Sequence, residues 1–260
     1  MDILEQIIHH KKKEVAERKN LYPVKLLEQS IFFSRQVISL KRALKENSRS
    51  GIIAEFKRQS PSKGVINADA DVLQTTKGYV VAGATALSVL TDKDFFGGSN
   101  VDLIGARSVN QCPILRKDFI VDEYQVVEAK SIGADVILLI AAGLSPEKLQ
   151  TLAKFARSLH LEVLLEVHSA PELEANLSSN IDLVGVNNRD LKTFEVNLGL
   201  SRELSTLIPN EFIKISESGI AYPEAVVELR KFGYEGFLMG ENFMKHDRPE
   251  LAAKEFIELL

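Results

Sequence analysis

Charged side chains at the ends of apolar runs are the residues of this sequence best suited to chemistry. In residues 52–57, Glu55 and Lys57 are two positions apart and point to the same side of a strand, opposite Ala54 and Phe56. Because burying an unpaired ion is costly, a carboxylate and an ammonium on the inner face of a strand indicate a polar site. Taken alone, the segment is explained equally well by a surface ion pair on an edge strand.

Similar polar residues end other apolar runs. The same alternation places Lys117 on an inner face and turns Arg116 and Asp118 outward, toward each other or toward a helix. The side chains expected at one common mouth are Glu55, Lys57, Lys117, Glu166 and Asn187. Carboxylates and lysines held together can have well-separated pKa values, which acid–base chemistry requires. One such residue would indicate a structural ion pair, whereas five at strand ends favour an active site.

The elements that must position these residues follow a regular rhythm of strands and helices. The predicted strands are 52–57, 86–90, 114–117, 136–140, 163–167, 183–187, 212–216 and 236–240, with helices such as 123–132, 146–160 and 223–232 between them. Runs that are apolar at nearly every position suit a parallel sheet covered by helices. Eight such units in 260 residues predict an α/β protein, a (β/α)8 TIM barrel. A doubly wound open sheet is the alternative, but no Gly-x-Gly-x-x-Gly pattern follows the first strand.

The segment before the first strand is more than a barrel needs. Its apolar residues Ile3, Leu4, Ile7 and Ile8 have helical spacing. The lysine run 11–13 follows, and we interpret it as a solvent-exposed helix face. We therefore predict a single domain over residues 1–260, in which residues 1–50 form an N-terminal helical extension.

The turns after the last two predicted strands are typical of a phosphate site. Gly219 and Gly240 lie there and have no Cβ to keep an anion from the backbone. Residues 241–244 could form a short helix whose amides point at the anion. We assign only the backbone N–H of Glu241 to such a ligand, because its side chain is negative. The alternative is that both glycines only shape turns.

Composition limits the other classes of function. The net charge of −4 gives no reason to expect nucleic acid as a partner, and no apolar stretch reaches transmembrane length. The single Cys112 excludes an internal disulfide, fits a reducing cytoplasm and is expected to fill the core just before a strand. The N-terminus lacks a basic-then-apolar signal, so a cytoplasmic location is expected.

The histidines do not indicate a metal site. The four histidines without partners at metal-ligand spacing are His9, His10, His160 and His246, and we expect no metal. His168 could share a face with Glu166, but we interpret it as a partly exposed loop histidine. The pair Phe95-Phe96, which precedes two glycines, is either a mobile wall against a substrate ring or packing under a loop.

Six motifs, in order along most of the chain, resemble those of the indole-3-glycerol phosphate synthase family. They are 55–64, 90–92 with 96–99, 115–119, 165–168, 185–191 and 216–220. The resemblance implies the substrate 1-(2-carboxyphenylamino)-1-deoxyribulose 5-phosphate, with indole-3-glycerol phosphate, CO2 and water as products. It also implies a lyase of tryptophan biosynthesis that uses no cofactor or metal.

The resemblance implies roles for the residues at the mouth. Lys117 donates a proton to the carbonyl oxygen of the sugar chain, and Lys57 holds the substrate carboxylate and acts as an acid later. Glu55 orients the lysines and keeps them charged. Glu166 is the base, or it stabilises the cationic intermediate. The division of acid and base duties among these residues stays open.

Further roles concern substrate binding. Asn187 hydrogen-bonds a substrate hydroxyl and positions Glu166, Arg189 supports the same network, and Ser218 contacts a sugar hydroxyl or the reacting region. The expected phosphate contacts are Ser60, Gly219 and Gly240, with the backbone of Glu241, and the ring slot is lined by Phe96 and Leu138. Residues 58–67 resemble a lid, and Lys63 at its tip would steer the anionic substrate.

Two other readings of the same residues stay open. A phosphoribosylanthranilate isomerase-like enzyme would need a thiol or a similar acid at the mouth, whereas Cys112 precedes its strand. A non-catalytic phosphosugar-binding barrel would not need both an acid and a base. The expected partner is a small phosphosugar, and the absence of heptads leaves a monomer or a weak homodimer.

Overall fold

The computed structural model describes residues 2–46 and 50–260 and contains a closed barrel of eight parallel strands. The barrel strands are β1 (Ile52–Phe56), β2 (Ala86–Leu90), β3 (Ile114–Lys117), β4 (Val136–Ile140), β5 (Glu162–Val167), β6 (Leu183–Asn187), β7 (Ile213–Glu217) and β8 (Tyr234–Met239). Each strand pairs with its sequence neighbours, and β1 closes the ring against β8. The predicted (β/α)8 barrel is therefore confirmed.

Helices cover the barrel and lie between its strands. They are α1 (Ile3–Leu21), α2 (Val24–Leu27), α3 (Leu40–Lys45), α4 (Val72–Val81), α5 (Asn100–Val109), α6 (Glu123–Ser131), α7 (Pro146–Ser158), α8 (Ala170–Asn176), α9 (Gly199–Ser205), α10 (Pro223–Arg230), α11 (Glu241–Met244) and α12 (Pro249–Ile257). Their starts follow from local chemistry: Ser145 caps α7 just before Pro146, and Asp122 forms a capping box with Gln125 at α6. No helix in the described ranges combines the length and apolar character that a membrane span requires.

Four strands have the predicted bounds, and the bounds of the other four differ by one or two residues. The first strand ends at Phe56, and the last begins at Tyr234. The seventh strand runs one residue later at both ends than predicted, so it ends at Glu217. This last difference matters, because it makes Glu217 a strand residue that shares the inward face of Ile213 and Ile215.

Two apolar layers stabilise the barrel. One lies between the sheet and the helices, and the other fills the barrel interior with residues such as Ile53, Leu115 and Leu164. Leu40 and Leu44 of α3 belong to the interior cluster. The N-terminal segment therefore closes one end of the barrel with its own apolar side chains.

Two carboxylates, the buried Asp135 and the half-buried Glu162, hold that N-terminal segment at the amino ends of the strands. Glu162 accepts hydrogen bonds from the backbone N–H groups of Leu40 (2.8 Å) and Lys41 (3.0 Å), at the first turn of α3. Asp135 accepts a hydrogen bond from the backbone of Ile38 (2.8 Å) and pairs with Arg35 (2.5 Å) and Arg107. Because the accepting groups are charged, their hydrogen bonds are stronger than those between neutral groups. The segment before β1 contains the helices α1, α2 and α3, so the expected N-terminal helical part is confirmed, whereas residues 28–39 form turns and irregular chain. Residues 1 and 47–49 lie outside the described residues.

Helix α1 docks on the opposite side of the molecule, near the carboxyl ends of the strands. The interpretation of its lysine run as solvent-exposed is wrong for Lys11, whose side chain is 1% exposed, and holds for Lys12 and Lys13. The Lys11 ammonium lies 2.8 Å from Asp92 and 3.1 Å from Asp118. These acceptors arrive from β2 and β3, so nothing in the local sequence of α1 indicated them.

Candidate active site

A cavity of about 610 Å³ opens at the carboxyl ends of the barrel strands. Its volume is within the range of small-molecule sites. Every site residue expected from the sequence lines this cavity: Glu55, Lys57, Ser60, Phe96, Lys117, Leu138, Glu166, Asn187, Arg189, Ser218, Gly219, Gly240 and Glu241. The structure thus brings the whole set together at one mouth, as strand alternation required.

The first charged pair of the site is Glu55 with Lys57. Their side chains form an ion pair of 2.9 Å, and Glu55 also accepts a hydrogen bond of 3.1 Å from the Ser88 hydroxyl. A Cβ at Gly240 would lie 2.7 Å from a Glu55 carboxylate oxygen. Gly240 therefore leaves room for the Glu55 carboxylate. This is a second reason for a glycine at position 240, in addition to the expected contact of its backbone with phosphate.

Lys117 is the centre of a second charged cluster. Its ammonium donates to Glu166 (2.7 Å) and to Glu217 (3.0 Å), and Asn187 donates to the other oxygen of Glu166 (3.0 Å). Both carboxylates are buried, and the Lys117 side chain is 16% exposed. The site thus holds one mostly buried cation between two buried anions.

This arrangement separates the pKa values of the two carboxyl groups. Burial alone would lower the pKa of Lys117, but the carboxylates of Glu166, Glu217 and Glu55 outweigh it, so the pKa is raised and Lys117 stays an ammonium. Burial raises the pKa of Glu217 to about 7, because one cation cannot compensate two anions. For Glu166, Lys117 and His168 overcome burial and lower the pKa to about 2. Glu217 is therefore the carboxyl group of the pair that becomes protonated first as the pH falls.

Glu217 was missed by sequence reasoning, although a signal for it existed. The alternation of Ile213, Lys214, Ile215 and Ser216 already places position 217 on the inner face. A Cβ at Gly185 would collide with a Glu217 carboxylate oxygen, so the neighbouring strand leaves space for it. The apolar run stops before Glu217, which is why the strand was ended one residue early.

His168 lies directly after β5, as expected for a loop residue, but it is mostly buried, with a side chain 13% exposed. One ring nitrogen lies 3.4 Å from Glu166 and the other 3.4 Å from Glu172. Burial would lower the pKa of His168, but Glu172 and Glu166 outweigh it and raise the pKa. The imidazole adds positive charge beside Glu166 when it is protonated.

The segment expected to be a lid forms a small antiparallel ribbon, Gln59–Ser60 with Gly64–Val65. Arg58 anchors its start through two hydrogen bonds to Asp102 (2.8 and 2.9 Å), and Asn67 donates to the carbonyls of Met244 and His246 at its end. The ribbon is therefore fixed at both ends and crosses the mouth between them.

The tip of this ribbon is tied to the opposite rim. Lys63 lies 3.2 Å from the Glu241 carboxylate, which also pairs with Arg189 at 3.2 Å. The Glu241 side chain, to which we assigned no ligand, thus links two cations at the mouth. An arriving anion can compete for both of them.

The apolar side of the cavity contains an aromatic pair. Phe96 and Phe119 have ring centroids 5.7 Å apart, and Ile3, Leu4 and Ile7 of α1 line the same cavity. Of the Phe-Phe pair, Phe96 lines the cavity, whereas Phe95 packs edge-on against His10. This side can accept a planar apolar group.

A strained turn follows β7 at the other end of the cavity. Ser218 has φ +65° and Gly219 has φ +78°, and the side-chain amide of Asn188 donates to the carbonyls of Glu217 (2.9 Å) and Ser218 (3.2 Å). A left-handed conformation is unfavourable for serine, so this amide holds the turn open. No group of three or more His, Cys, Asp or Glu side chains suited to a metal ion occurs within residues 2–46 and 50–260.

Comparison with known proteins decides the family. The family model for indole-3-glycerol phosphate synthase matches residues 4–256. The chain belongs to the indole-3-glycerol phosphate synthase family. An indole-3-glycerol phosphate synthase of Bacteroides thetaiotaomicron is 48% identical over 259 residues, covering 100% of this chain and 99% of the relative. One from Acidithiobacillus ferrooxidans is 43% identical and covers 95% of each chain.

The function follows from this full-length family match. The chain is an indole-3-glycerol phosphate synthase, a carboxy-lyase of tryptophan biosynthesis that acts on a phosphosugar substrate. Among solved structures, thiamine phosphate pyrophosphorylase from Pyrococcus furiosus superposes with a TM-score of 0.59 at 17% identity, covering 85% of this chain and 98% of that chain. At that identity the likeness shows the barrel fold alone.

Proposed function

We propose that the synthase reaction takes place in this cavity with Lys117 as the first proton donor. The observation that supports it is the Lys117 ammonium held between Glu166 and Glu217 at 2.7 and 3.0 Å. An ammonium that nearby carboxylates keep charged in spite of its burial can give a proton to a developing alkoxide at neutral pH. The overall change converts 1-(2-carboxyphenylamino)-1-deoxyribulose 5-phosphate into indole-3-glycerol phosphate, CO2 and water.

The substrate is oriented by the two chemically different ends of the cavity. Its ring lies on the apolar side, against Phe96 and Leu138. Its phosphate lies at the other side, against Ser60 and the turn glycines Gly219 and Gly240, with the backbone N–H of Glu241. Lys57 pairs with the ring carboxylate, and Ser218 and Asn187 contact sugar hydroxyls.

Ring closure is the first chemical step. The ring carbon that carries the carboxylate attacks the ketone carbon of the sugar chain, and a new carbon–carbon bond forms. The carbonyl oxygen takes the proton of Lys117 and becomes a hydroxyl. The bond to the carboxylate then breaks, its electrons restore the aromatic ring, and CO2 leaves.

Dehydration completes the reaction. Glu166 removes a proton from the carbon next to the nitrogen, and the hydroxyl leaves as water with a proton from Lys57. The low pKa of Glu166, about 2, depends on the nearby Lys117 ammonium. When Lys117 has given up its proton, that attraction is lost and Glu166 becomes a stronger base. The first step therefore prepares the base that the last step needs. Glu55 orients both lysines, and Arg189 with Glu241 supports the rim.

The remaining parts of the proposal concern the cellular location, the oligomeric state and the partners of the chain. We propose that the chain works in the cytoplasm, as a monomer or a weak homodimer that does not bind nucleic acid. A net charge of −4 and a single cysteine, buried beside β3, support this. Sedimentation at micromolar and millimolar chain concentrations would test the oligomeric state.

The absence of tryptophan from the chain allows a direct assay. Indole emission, excited at the red edge of its absorption, is expected to rise when the carboxyphenylamino-deoxyribulose phosphate is added to the protein. Lys117→Ala is expected to abolish the rise and keep phosphate affinity, and Lys154→Ala, at an exposed position of α7, is expected to behave like the unchanged chain. Substantial turnover by Lys117→Ala would refute its role as the acid. Substrate recovered intact from the unchanged chain would leave a phosphosugar-binding barrel.

A further inference from the structure

The buried Lys11 of α1 joins the N-terminal helix to two strand ends at the cavity. Its ammonium lies 2.8 Å from Asp92, 3.1 Å from Asp118 and 2.7 Å from Glu14. Asp92 follows β2, and Asp118 follows β3. Lys11 and both aspartates are almost completely buried, whereas Glu14 reaches the surface.

Each of the two aspartates also holds the backbone of a phenylalanine turn. One oxygen of Asp92 accepts hydrogen bonds from the backbone N–H groups of Phe95 (2.9 Å) and Phe96 (3.2 Å). Asp118 accepts one from the backbone N–H of Phe119 (2.8 Å). Lys11 therefore bridges the two carboxylates that hold the backbone of Phe96 and Phe119, whose rings contact each other.

The two aspartates depend on Lys11 to different degrees. Asp118 also pairs with Arg116 at 3.0 Å, whereas Lys11 is the cation that contacts Asp92 within the described residues. Burial would lower the pKa of Lys11, but Asp118, Asp92 and Glu14 outweigh it and raise the pKa, so the cation persists at all working pH values. Without it, Asp92 would be a buried anion without a counter-ion, which is a costly state.

We propose that Lys11 is a positioning residue that sets the aromatic wall of the ring slot, through Asp92 on one side and Asp118 on the other. The inference rests on the proposed placement of the substrate ring against Phe96. Ring closure needs the attacking carbon close to the ketone, so a small displacement of the wall changes the rate. A lysine outside the cavity thus controls how the ring is presented, while the phosphate end is independent of it.

The test compares a ring-bearing ligand with a ringless one in three variants. Lys11→Met removes the cation, and Lys11→Met with Asp92→Asn removes a matched pair of charges and keeps an acceptor oxygen for the phenylalanine backbone. The control is Arg18→Met. It breaks a different contact of α1, the ion pair of Arg18 with Glu128, and Glu128 keeps its ion pair with Arg116. The ligands are the carboxyphenylamino-deoxyribulose phosphate, followed by its own ring fluorescence and by turnover, and ribulose 5-phosphate as a competitor.

Both Lys11 variants are expected to lose about tenfold to a hundredfold in kcat/KM and to bind the ring-bearing ligand more weakly. Binding of ribulose 5-phosphate is expected to stay unchanged, and Arg18→Met is expected to keep the kinetics of the unchanged chain. The proposal is overturned if the folded double variant turns over normally, if ribulose 5-phosphate binding falls in parallel, or if Arg18→Met shows the same loss. If the unchanged chain lacks turnover, the proposed function fails, and the affinity ratio of the two ligands still tests Lys11.

Discussion

Replacing Glu217 with glutamine is expected to stabilise the protein at alkaline pH. Glu217 is a buried carboxyl group that shares the Lys117 ammonium with Glu166. Its pKa is raised by burial from 4.5 to about 7. A glutamine keeps the shape and the acceptor oxygen toward Lys117, and it removes the charge that the folded state must bury above that pH.

The size and sign of the effect follow from proton linkage. A raised pKa means that folding favours the protonated form of Glu217. The contribution of this protonated carboxyl group to the free energy of folding is fully present below pH 4.5 and is lost as the pH rises through about 7. A shift from 4.5 to about 7, at ~1.4 kcal/mol per unit, corresponds to about 3 kcal/mol at pH 8. For a chain of 260 residues this amounts to a rise of roughly 5 °C in Tm.

Thermal and urea unfolding of both proteins between pH 4.5 and pH 8 would measure this difference. Glu217→Gln should match the unchanged chain at pH 4.5 and exceed it increasingly toward pH 8. Glu166→Gln is the matched control and should not raise stability at pH 8, because the pKa of Glu166 is lowered to about 2 and its charge stabilises the fold above pH 4.5. A stability difference for Glu217→Gln that does not change with pH would refute the reasoning.

Three further changes test other parts of the structure. Gly185→Ala places a methyl group against the Glu217 carboxyl, so kcat should fall by at least about tenfold while affinity for inorganic phosphate is kept. Asp135→Asn should lower the free energy of unfolding by about 3–5 kcal/mol, because Arg35 and Arg107 lose a buried counter-ion, and should leave kcat unchanged. Gly64→Pro should lower kcat at unchanged Tm, because Gly64 has φ +65° and proline cannot adopt it; equal turnover would exclude the ribbon as a functional gate.

Strand alternation was sufficient to predict the barrel and the composition of its mouth. Every strand was predicted to within two residues, because each is a short and mostly apolar run. The inward orientation of Glu55, Lys117 and Glu166 followed from the period of two. These properties are local, so the sequence alone contains them.

Lys11 could not be predicted with the same reasoning, and alternation gives only the inward face of Glu217, because the burial of both charged groups depends on distant partners. Three consecutive lysines on a helix are normally solvated, and only the arrival of Asp92 and Asp118 makes the first of them a core residue. Glu217 ends its strand inside the barrel because Lys117, 100 residues earlier, supplies its charge partner. The spacing of apolar residues along a strand or helix does not indicate ion pairs between residues that are distant in the sequence.

The segment that closes the amino end of the barrel has a consequence for how the chain is made. It leaves the ribosome before the barrel strands, but its anchors, Asp135 and Glu162, come 100 and 123 residues after Arg35 and Ser39. At about 5–20 residues per second, those partners follow roughly 5 to 25 seconds later. Until then Leu40 and Leu44 have no barrel interior to enter. The interior that they enter also contains side chains of β6, β7 and β8, so the nascent chain is most exposed to proteolysis and to self-association before β8 has been synthesised.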